Sequence, residues 1–221
     1  MALLKSTSSL TLTLTELGAG TGRNTVKLVD PSIASVPITR INALDLSPGM
    51  LDVAQQRWTK FLEAKATTLC EIPKIEFYEF DALNPSNFPE VKSIKGTANI
   101  VLSTLVLEHL PIDVFFRSVK SLLKEDGGSL VLTNMHAEMG RVGQAGFVDE
   151  ETGEKIRGDS YNYEVEEVLV EGKKWGFRLE GSVGERAVRE EDIGEGKLLG
   201  PRGKKWIGVK VWFGMVMRFD G

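Results

Sequence analysis

The stretch Glu16-Leu17-Gly18-Ala19-Gly20-Thr21-Gly22-Arg23 follows the alternating apolar run Leu10-Thr11-Leu12-Thr13-Leu14. Alternation with a period of two predicts a β-strand, and three closely spaced glycines predict a sharp turn from that strand into a helix. Glycine suits a backbone that approaches a ligand too closely for a Cβ, and the first N–H groups of the following helix are free to donate. The segment therefore predicts a loop that binds a nucleotide-type cofactor.

The glycine spacing separates two classes of nucleotide site. The dinucleotide fingerprint is Gly-x-Gly-x-x-Gly, whereas here Arg23 stands at the sixth position and the third glycine, Gly22, comes one residue early. The observed pattern is acidic-x-Gly-x-Gly-x-Gly. This spacing disfavours an NAD-type oxidoreductase and leaves a glycine-rich turn without a ligand as the structural alternative.

Length, charge and cysteine content limit the class of protein. A chain of 221 residues fits a single domain over residues 1–221. The formal net charge of −4, from 27 basic and 31 acidic residues, argues against a surface that tracks nucleic-acid phosphates. The single cysteine, Cys70, supplies neither an internal disulfide nor a thiolate cluster, and no apolar stretch is long enough to span a bilayer. We expect a cytoplasmic protein with no nucleic-acid or membrane partner.

Strand and helix signals alternate along the first 134 residues. Ser47 and Pro48 form a typical helix start, as N-cap and first helical residue, and Trp58 falls on the apolar face of that helix, where we expect core packing. The predicted strands are 38–45, 75–81, 98–104 and 129–134, and the predicted helices are 24–29, 47–62 and 114–123. This alternation predicts a parallel sheet.

The C-terminal part of the chain has different patterns. Residues 140–160 are rich in glycine and charge and have no period, which predicts a loop over the carboxyl edge of the sheet, with part of the substrate site. A helix is predicted over 163–174. The apolar runs 177–183 and 207–217 are predicted to pair as an antiparallel hairpin.

Acidic residues stand at the ends of two predicted strands. Asp45 follows the glycine loop by about twenty residues, and a carboxylate there can accept hydrogen bonds from both hydroxyls of a ribose. Its alternative role is a charge at the start of the next helix. Asp81 ends the third strand, where it could accept from an adenine amino group while the N–H of Ala82 reads a ring nitrogen. A solvated turn acid is the alternative for Asp81.

Five motifs in order carry a family resemblance. They are the glycine loop 16–22, Ala-Leu-Asp-Leu-Ser-Pro-Gly-Met-Leu at 43–51, Phe-Asp-Ala at 80–82, and the segments 101–110 and 123–130. Together they resemble class I S-adenosylmethionine-dependent methyltransferases of the small-molecule type, over most of the chain. The resemblance implies an α/β, Rossmann-like three-layer sandwich with a mostly parallel seven-stranded sheet and a C-terminal antiparallel hairpin, whose last strand lies beside the fifth.

The resemblance also implies S-adenosyl-L-methionine as the cofactor. The three glycines of the loop would border its methionine end, Glu16 would position its amino group, and Ser103 and Thr104 would lie near the sulfonium. With the strand-end acids and their neighbours, the predicted cofactor-binding residues are Glu16, Gly18, Ala19, Gly20, Gly22, Asp45, Leu46, Met50, Asp81, Ala82, Ser103 and Thr104.

Methyl transfer needs a base only when the acceptor has a proton to lose. His136 lies just past the fifth strand, at the edge where a small-molecule O or N acceptor should bind, and Tyr161 shares that rim. Both are predicted catalytic residues, with a surface histidine as the alternative for His136, while His109 is expected to be structural. The ends of the fourth and fifth predicted strands offer hydroxyl and amide groups instead of carboxylates, so no metal is predicted.

Proteins of this kind usually carry helices ahead of the glycine loop that close over the cofactor. Here the first predicted strand begins almost at Met1. Lids exclude water and complete the acceptor pocket. We therefore expect a methyltransferase domain without N-terminal lid helices, with an open site that a second copy (a dimer) or a protein partner covers. The alternative function is a regulatory protein that binds the cofactor without turnover.

Overall fold

Strands and helices alternate through residues 12–135 of the computed structural model, which describes residues 12–30, 38–65, 72–143, 146–149, 151–157 and 160–221. These elements are β1 (Leu12–Leu17), α1 (Arg23–Lys27), β2 (Ile38–Asp45), α2 (Pro48–Lys65), β3 (Lys74–Glu79), β4 (Ile100–Thr104), α3 (Ile112–Leu122) and β5 (Gly128–Met135). The elements that follow are α4 (Ala137–Val142), β6 (Gly146–Val148), β7 (Lys155–Arg157), α5 (Val165–Lys174), β8 (Phe177–Ala187) and β9 (Lys210–Phe219).

Seven strands form one sheet in the order β3-β2-β1-β4-β5-β9-β8. The pairs among β1 to β5 are parallel, and β9 runs antiparallel to both β5 and β8. The predicted Rossmann-like sheet and its C-terminal hairpin are confirmed. Because β1 to β5 point the same way, their carboxyl ends meet at one edge, where ligands bind in open α/β sheets.

Helices cover both faces of this sheet. On one face α1 and α2 pack over a small cluster around Leu14 and Ile41, where Trp58 stacks on Phe61 at 5.6 Å between ring centroids. On the other face α3 and α5 cover the larger core, in which Phe115 and Phe116 are fully buried. Burying such a ring stabilises the fold by about 1.5–3 kcal/mol. The three-layer architecture is confirmed, and Trp58 is partly buried against the smaller cluster.

Serine at the start of α2 acts as the sequence predicts. The N–H of Met50 donates to Ser47 Oγ at 3.3 Å, which satisfies one of the free donors of the first helical turn. The strand predicted over 38–45 has the observed bounds of β2.

Several element boundaries differ from the predictions. The predicted loop 140–160 contains the end of α4 and the pair β6–β7, whose three-residue strands are too short to show a period. The helix predicted over 24–29 ends at Lys27, and β8 continues to Ala187, past the predicted end at 183. The start of the chain, with the first two residues of the predicted β1 run, and Cys70 lie outside the described residues.

Within the part of the chain that the structure describes, no helix has both the length and the apolar character needed to cross a membrane.

Candidate functional site

A cavity of about 390 Å³ lies at the carboxyl edge of the sheet. Small-molecule sites typically enclose about 300–1,000 Å³. Its walls come from the carboxyl ends of four neighbouring parallel strands and the loops that follow them. The lining residues are Leu17, Gly18 and Gly20 at β1, Leu44, Asp45 and Leu46 at β2, Phe80, Asp81, Ala82 and Leu83 after β3, and Thr104, Leu105, Val106, His109 and Leu110 at β4. The lining is mainly apolar with a few polar groups, which suits an amphipathic ligand.

The glycine loop approaches the cavity with backbone alone. Gly18 and Gly20 have φ of 80° and 53°, in the left-handed region that favours glycine. A Cβ at Gly18 would lie 2.2 Å from Val106 Cγ2, so packing against the loop after β4 requires glycine there. A Cβ at Gly20 would meet no protein atom within 4 Å, so the space beside Gly20 is left for a ligand.

Alanine at these two positions should separate packing from binding. Gly18→Ala should destabilise the fold by roughly 1–3 kcal/mol, because the new methyl group overlaps Val106. Gly20→Ala should fold with a backbone cost of about 1–2 kcal/mol and weaken binding of S-adenosylhomocysteine. Urea unfolding measures the loss of stability, and calorimetry measures the loss of affinity.

Gly153→Ala is the matched control for Gly20→Ala, because Gly153 also has a positive φ (71°) and open surroundings but does not line the cavity. Unchanged affinity in Gly20→Ala would contradict the prediction.

Asp45 holds two loops together at the end of β2. Its Oδ2 accepts from the Gly20 N–H at 2.7 Å, and its Oδ1 accepts from the Ser47 N–H at 2.9 Å. The carboxylate also lines the cavity. Each carboxylate oxygen has a second lone pair, so Asp45 can bind a ribose hydroxyl while it fixes the glycine loop.

Glu16 lies on β1 beneath the glycine loop and is only 1% exposed. Its Oε2 accepts from Thr25 Oγ1 at 2.6 Å, while its Oε1 has no partner. Burial raises the pKa of Glu16 from 4.5 to about 7, the bond from Thr25 opposes this rise, and the charge of Asp45 adds to it. A buried carboxyl with an unpaired oxygen fits a ligand that brings a cationic hydrogen-bond donor.

Asp81 organises the turn after β3. Its Oδ1 accepts from the Leu83 N–H and its Oδ2 from Asn84 Nδ2, both at 2.8 Å. Asp81 and Ala82 both line the cavity, and Leu83 is 52% exposed at its mouth.

The end of β4 carries an unusual backbone. Ser103 is fully buried and its Oγ has no partner, while Thr104 lines the cavity and its Oγ1 accepts from Thr133 Oγ1 at 3.2 Å. Leu105 has φ 58°, and it is the one non-glycine residue with positive φ within the described ranges. This conformation costs about 1–2 kcal/mol in an L-residue, and such strain clusters at binding sites.

The structure brings many of the predicted cofactor-binding residues together around the cavity and leaves others outside its lining. Those that line the cavity are Gly18, Gly20, Asp45, Leu46, Asp81, Ala82 and Thr104. Those outside its lining are Glu16, Ala19, Gly22, Met50 and Ser103. Gly22 serves helix packing, since a Cβ there would lie 2.9 Å from the Cβ of Ala54.

The two predicted catalytic residues do not line this cavity. His136 is 5% exposed, its Nδ1 accepts from the Glu138 N–H at 3.1 Å as the N-cap of α4, and its Nε2 lies 2.8 Å from Glu185 Oε1. Tyr161 is half-exposed, stacks on Tyr163 at 5.6 Å, and donates its backbone N–H to the Glu108 carbonyl. Both ring nitrogens of His136 are therefore occupied within the protein.

A helix-capping histidine predicts a loss of stability on substitution. His136→Ala should lower the free energy of unfolding by about 0.5–2 kcal/mol, because α4 loses its cap. His136→Asn, which keeps a cap acceptor, should restore most of it. The general-base role stays a prediction, and turnover of the asparagine variant tests it. Retained stability with turnover lowered by roughly 10² would support that role.

The turn after β4 contributes residues that the sequence analysis did not place in the site. Val106, His109 and Leu110 line the cavity, with Leu105. The family resemblance covered this segment, and it supplied only the general signal that the segment lies near the cofactor. The side-chain directions follow from the one-turn 3₁₀ helix Leu107–His109, which the sequence did not predict.

Within the described ranges, no group of three or more His, Cys, Asp or Glu side chains is placed to hold a metal ion.

Residues 15–131 match the family model described as a methyltransferase domain. An uncharacterized methyltransferase of Emericella nidulans is 41% identical to this chain over 209 residues, which cover 92% of this chain and 70% of that protein. The chain belongs to this methyltransferase family.

Solved structures share the fold. A putative S-adenosylmethionine-dependent methyltransferase from Listeria monocytogenes superposes with a TM-score of 0.61 at 18% identity, covering 95% of this chain and 92% of that chain. The complex of DhpI with S-adenosylhomocysteine has a TM-score of 0.52 at 17% identity, covering 95% of this chain and 78% of that chain.

The protein is an S-adenosylmethionine-dependent methyltransferase, and S-adenosyl-L-methionine is its cofactor. The residues present fit this group. The unpaired Oε1 of Glu16 suits its ammonium, and the open space at Gly20 suits a ligand close to the backbone.

Proposed function

We propose that the protein methylates an oxygen or nitrogen atom of a small molecule without a metal ion. The acceptor would lie at the cavity beside Thr104 and His109. The observation that carries this proposal is the cavity at the carboxyl edge, because it combines the glycine loop, two strand-end carboxylates and an apolar wall in one space.

The cofactor, when bound, supplies a methyl group that is already activated for transfer. The protein then has to align the reactants and exclude water, and alignment alone can account for much of the rate. Asp45 and Asp81 would hold the nucleoside through its hydroxyls and base. Glu16 would hold the amino group, and the backbone after Thr104 would border the reacting methyl.

Three features favour metal-free methylation of a small molecule over methylation of nucleic acid. The net charge is −4. The residues from the end of β4 onward read Thr-Leu-Val-Leu at 104–107, instead of the Asn/Asp-Pro-Pro-aromatic motif used for exocyclic amines of nucleic acid. The ends of β4 and β5 present hydroxyl and amide groups, which suit a hard cation poorly.

The mouth of the cavity favours a second candidate function, cofactor binding without turnover. Leu46, Leu83 and Leu105 are 62%, 52% and 50% exposed although they line the cavity. Apolar side chains around a binding site suit cover by a second copy or a protein partner. Cofactor binding would then persist in the isolated chain while turnover is weak.

The decisive experiment combines binding, turnover and mass. S-adenosylhomocysteine should bind with a dissociation constant in the micromolar range, about −8 kcal/mol, whereas NAD and NADP should not bind. Donor consumption is then followed with phenols, amines and thiols while light scattering gives the mass in solution. Turnover with an acceptor supports the enzyme, and binding without any turnover supports the second candidate. Tight NAD binding would contradict both.

A further inference from the structure

The chain has only two histidines, and the structure gives them opposite surroundings. His136 is buried, with both ring nitrogens bonded within the protein. His109 lines the cavity, and its side chain is 61% exposed. An imidazole that accepts a proton from a substrate needs a free nitrogen within reach of that substrate. Of the two, only His109 meets this requirement at the cavity.

The backbone that carries His109 is fixed from both sides. The His109 N–H donates to the Val106 carbonyl at 2.9 Å, which closes the turn. The Tyr161 N–H donates to the Glu108 carbonyl at 2.8 Å, and Tyr163 Oη donates to the Leu110 carbonyl at 3.0 Å. Leu107, Glu108 and Leu110 are buried, so within residues 107–110 only His109 is exposed. The arrangement presents one imidazole on a rigid support.

Glu108 provides a charge beside that imidazole. Its Oε1 lies 3.8 Å from His109 Nε2, and its Oε2 is buried without a partner. Burial raises the pKa of Glu108, while His109, the Met135 backbone and Asn134 oppose the rise. Glu108 and His109 are therefore neighbouring side chains that no hydrogen bond joins at this distance.

We propose that His109 is the residue that takes the proton from the methyl acceptor. The inference rests on the proposed function above. As the acceptor oxygen or nitrogen forms its bond to the methyl carbon, the bond from that carbon to sulfur breaks. The sulfur keeps the electron pair, and the acceptor proton moves to a ring nitrogen of His109. The proton then leaves to solvent, which the exposed imidazole contacts.

Two readouts test this assignment. In NMR spectra, the ring resonances of His109 should shift on addition of S-adenosylhomocysteine, while those of His136 stay in place. His109→Gln, which cannot carry a proton between pH 6 and 8, should lower turnover of weakly acidic phenols by roughly 10² or more, with affinity for S-adenosylhomocysteine nearly unchanged. The deficit should shrink with 4-nitrophenol at pH 8, because that acceptor is already largely ionised.

Each result decides a separate question. An active wild-type chain with an equally active His109→Gln variant overturns the role of His109 and leaves the proposed function intact. An equal loss with ionised and neutral phenols assigns His109 to binding or structure, which also overturns the inference. A wild-type chain that transfers no methyl group to any acceptor rejects the proposed function and this inference with it. Selective rescue by 4-nitrophenol supports the inference.

Discussion

Replacing Asp45 by alanine should weaken binding of S-adenosylhomocysteine between about 10- and 150-fold. Hydrogen bonds to a charged group contribute about 1.5–3 kcal/mol, and the variant loses those from the ribose. The expected loss lies in the upper part of this range, because the carboxylate also accepts from the N–H groups of Gly20 and Ser47. Without it the glycine loop and the start of α2 lose their common anchor, and the free protein is less preorganised for the cofactor.

Calorimetry and urea unfolding together check this prediction. Asp52→Ala is the matched control, because Asp52 is an exposed aspartate on α2 that does not line the cavity. The control should bind as the wild type does. The affinity of Asp45→Asn for S-adenosylhomocysteine should fall between those of Asp45→Ala and the control. The amide keeps one acceptor oxygen but places a donor opposite a backbone N–H. Wild-type affinity in Asp45→Ala would contradict the assignment of the ribose site.

The sheet was predictable because its determinants are local. β2 has four β-compatible apolar residues, Ile38, Ile41, Ala43 and Leu44, and ends in Asp45. The start of α2 contains both an N-cap serine and a proline. Glycine spacing after β1 similarly predicts a turn that few other residues permit. These signals lie within one element, so a reading of short windows identifies them.

The surroundings of the two histidines were not predictable in this way. His136 pairs with Glu185 of β8, 49 residues later, because β9 lies between β5 and β8 and joins both strands in one sheet. Tyr161 bonds to Glu108, 53 residues earlier. Position past β5 indicated that His136 lies at the carboxyl edge, but it did not indicate which groups occupy its ring nitrogens. Side-chain partners that depend on strand order have no signature in a single sequence.

Glu16→Gln should make the protein more stable at pH 8 and change little at pH 5. The pKa of Glu16 is about 7 in the folded protein, above its ordinary value of 4.5, because burial disfavours its charged form. Below pH 4.5 the carboxyl is protonated in both the folded and the unfolded protein, and its full contribution to the free energy of unfolding is present. As the pH rises toward 7 the unfolded chain releases the proton before the folded one, so stability falls, by about 3 kcal/mol in total. Glutamine stays neutral and can still accept from Thr25.

Urea unfolding at pH 5, 6, 7 and 8 measures the effect in wild type and variant. The two curves of unfolding free energy against pH should diverge across this window, with Glu63→Gln, an exposed glutamate on α2, as the control that follows the wild type. Six other carboxylates have lowered pKa values, so they change their protonation at lower pH and do not mask the effect of Glu16 on stability. They are Glu76, Asp149, Glu171, Glu185, Asp192 and Asp220. Parallel curves would show that Glu16 titrates normally.

Cofactor binding should also change the protonation of Glu16. An ammonium group placed at the unpaired Oε1 favours the ionised form, so S-adenosylhomocysteine should release up to one proton from Glu16 when it binds near pH 6. Its affinity should therefore increase from pH 6 to pH 8 in the wild type and stay flat in Glu16→Gln. Calorimetry in buffers with different ionisation enthalpies counts that proton. A proton count of zero in the wild type would place the ammonium elsewhere, even if the stability curves diverge as expected.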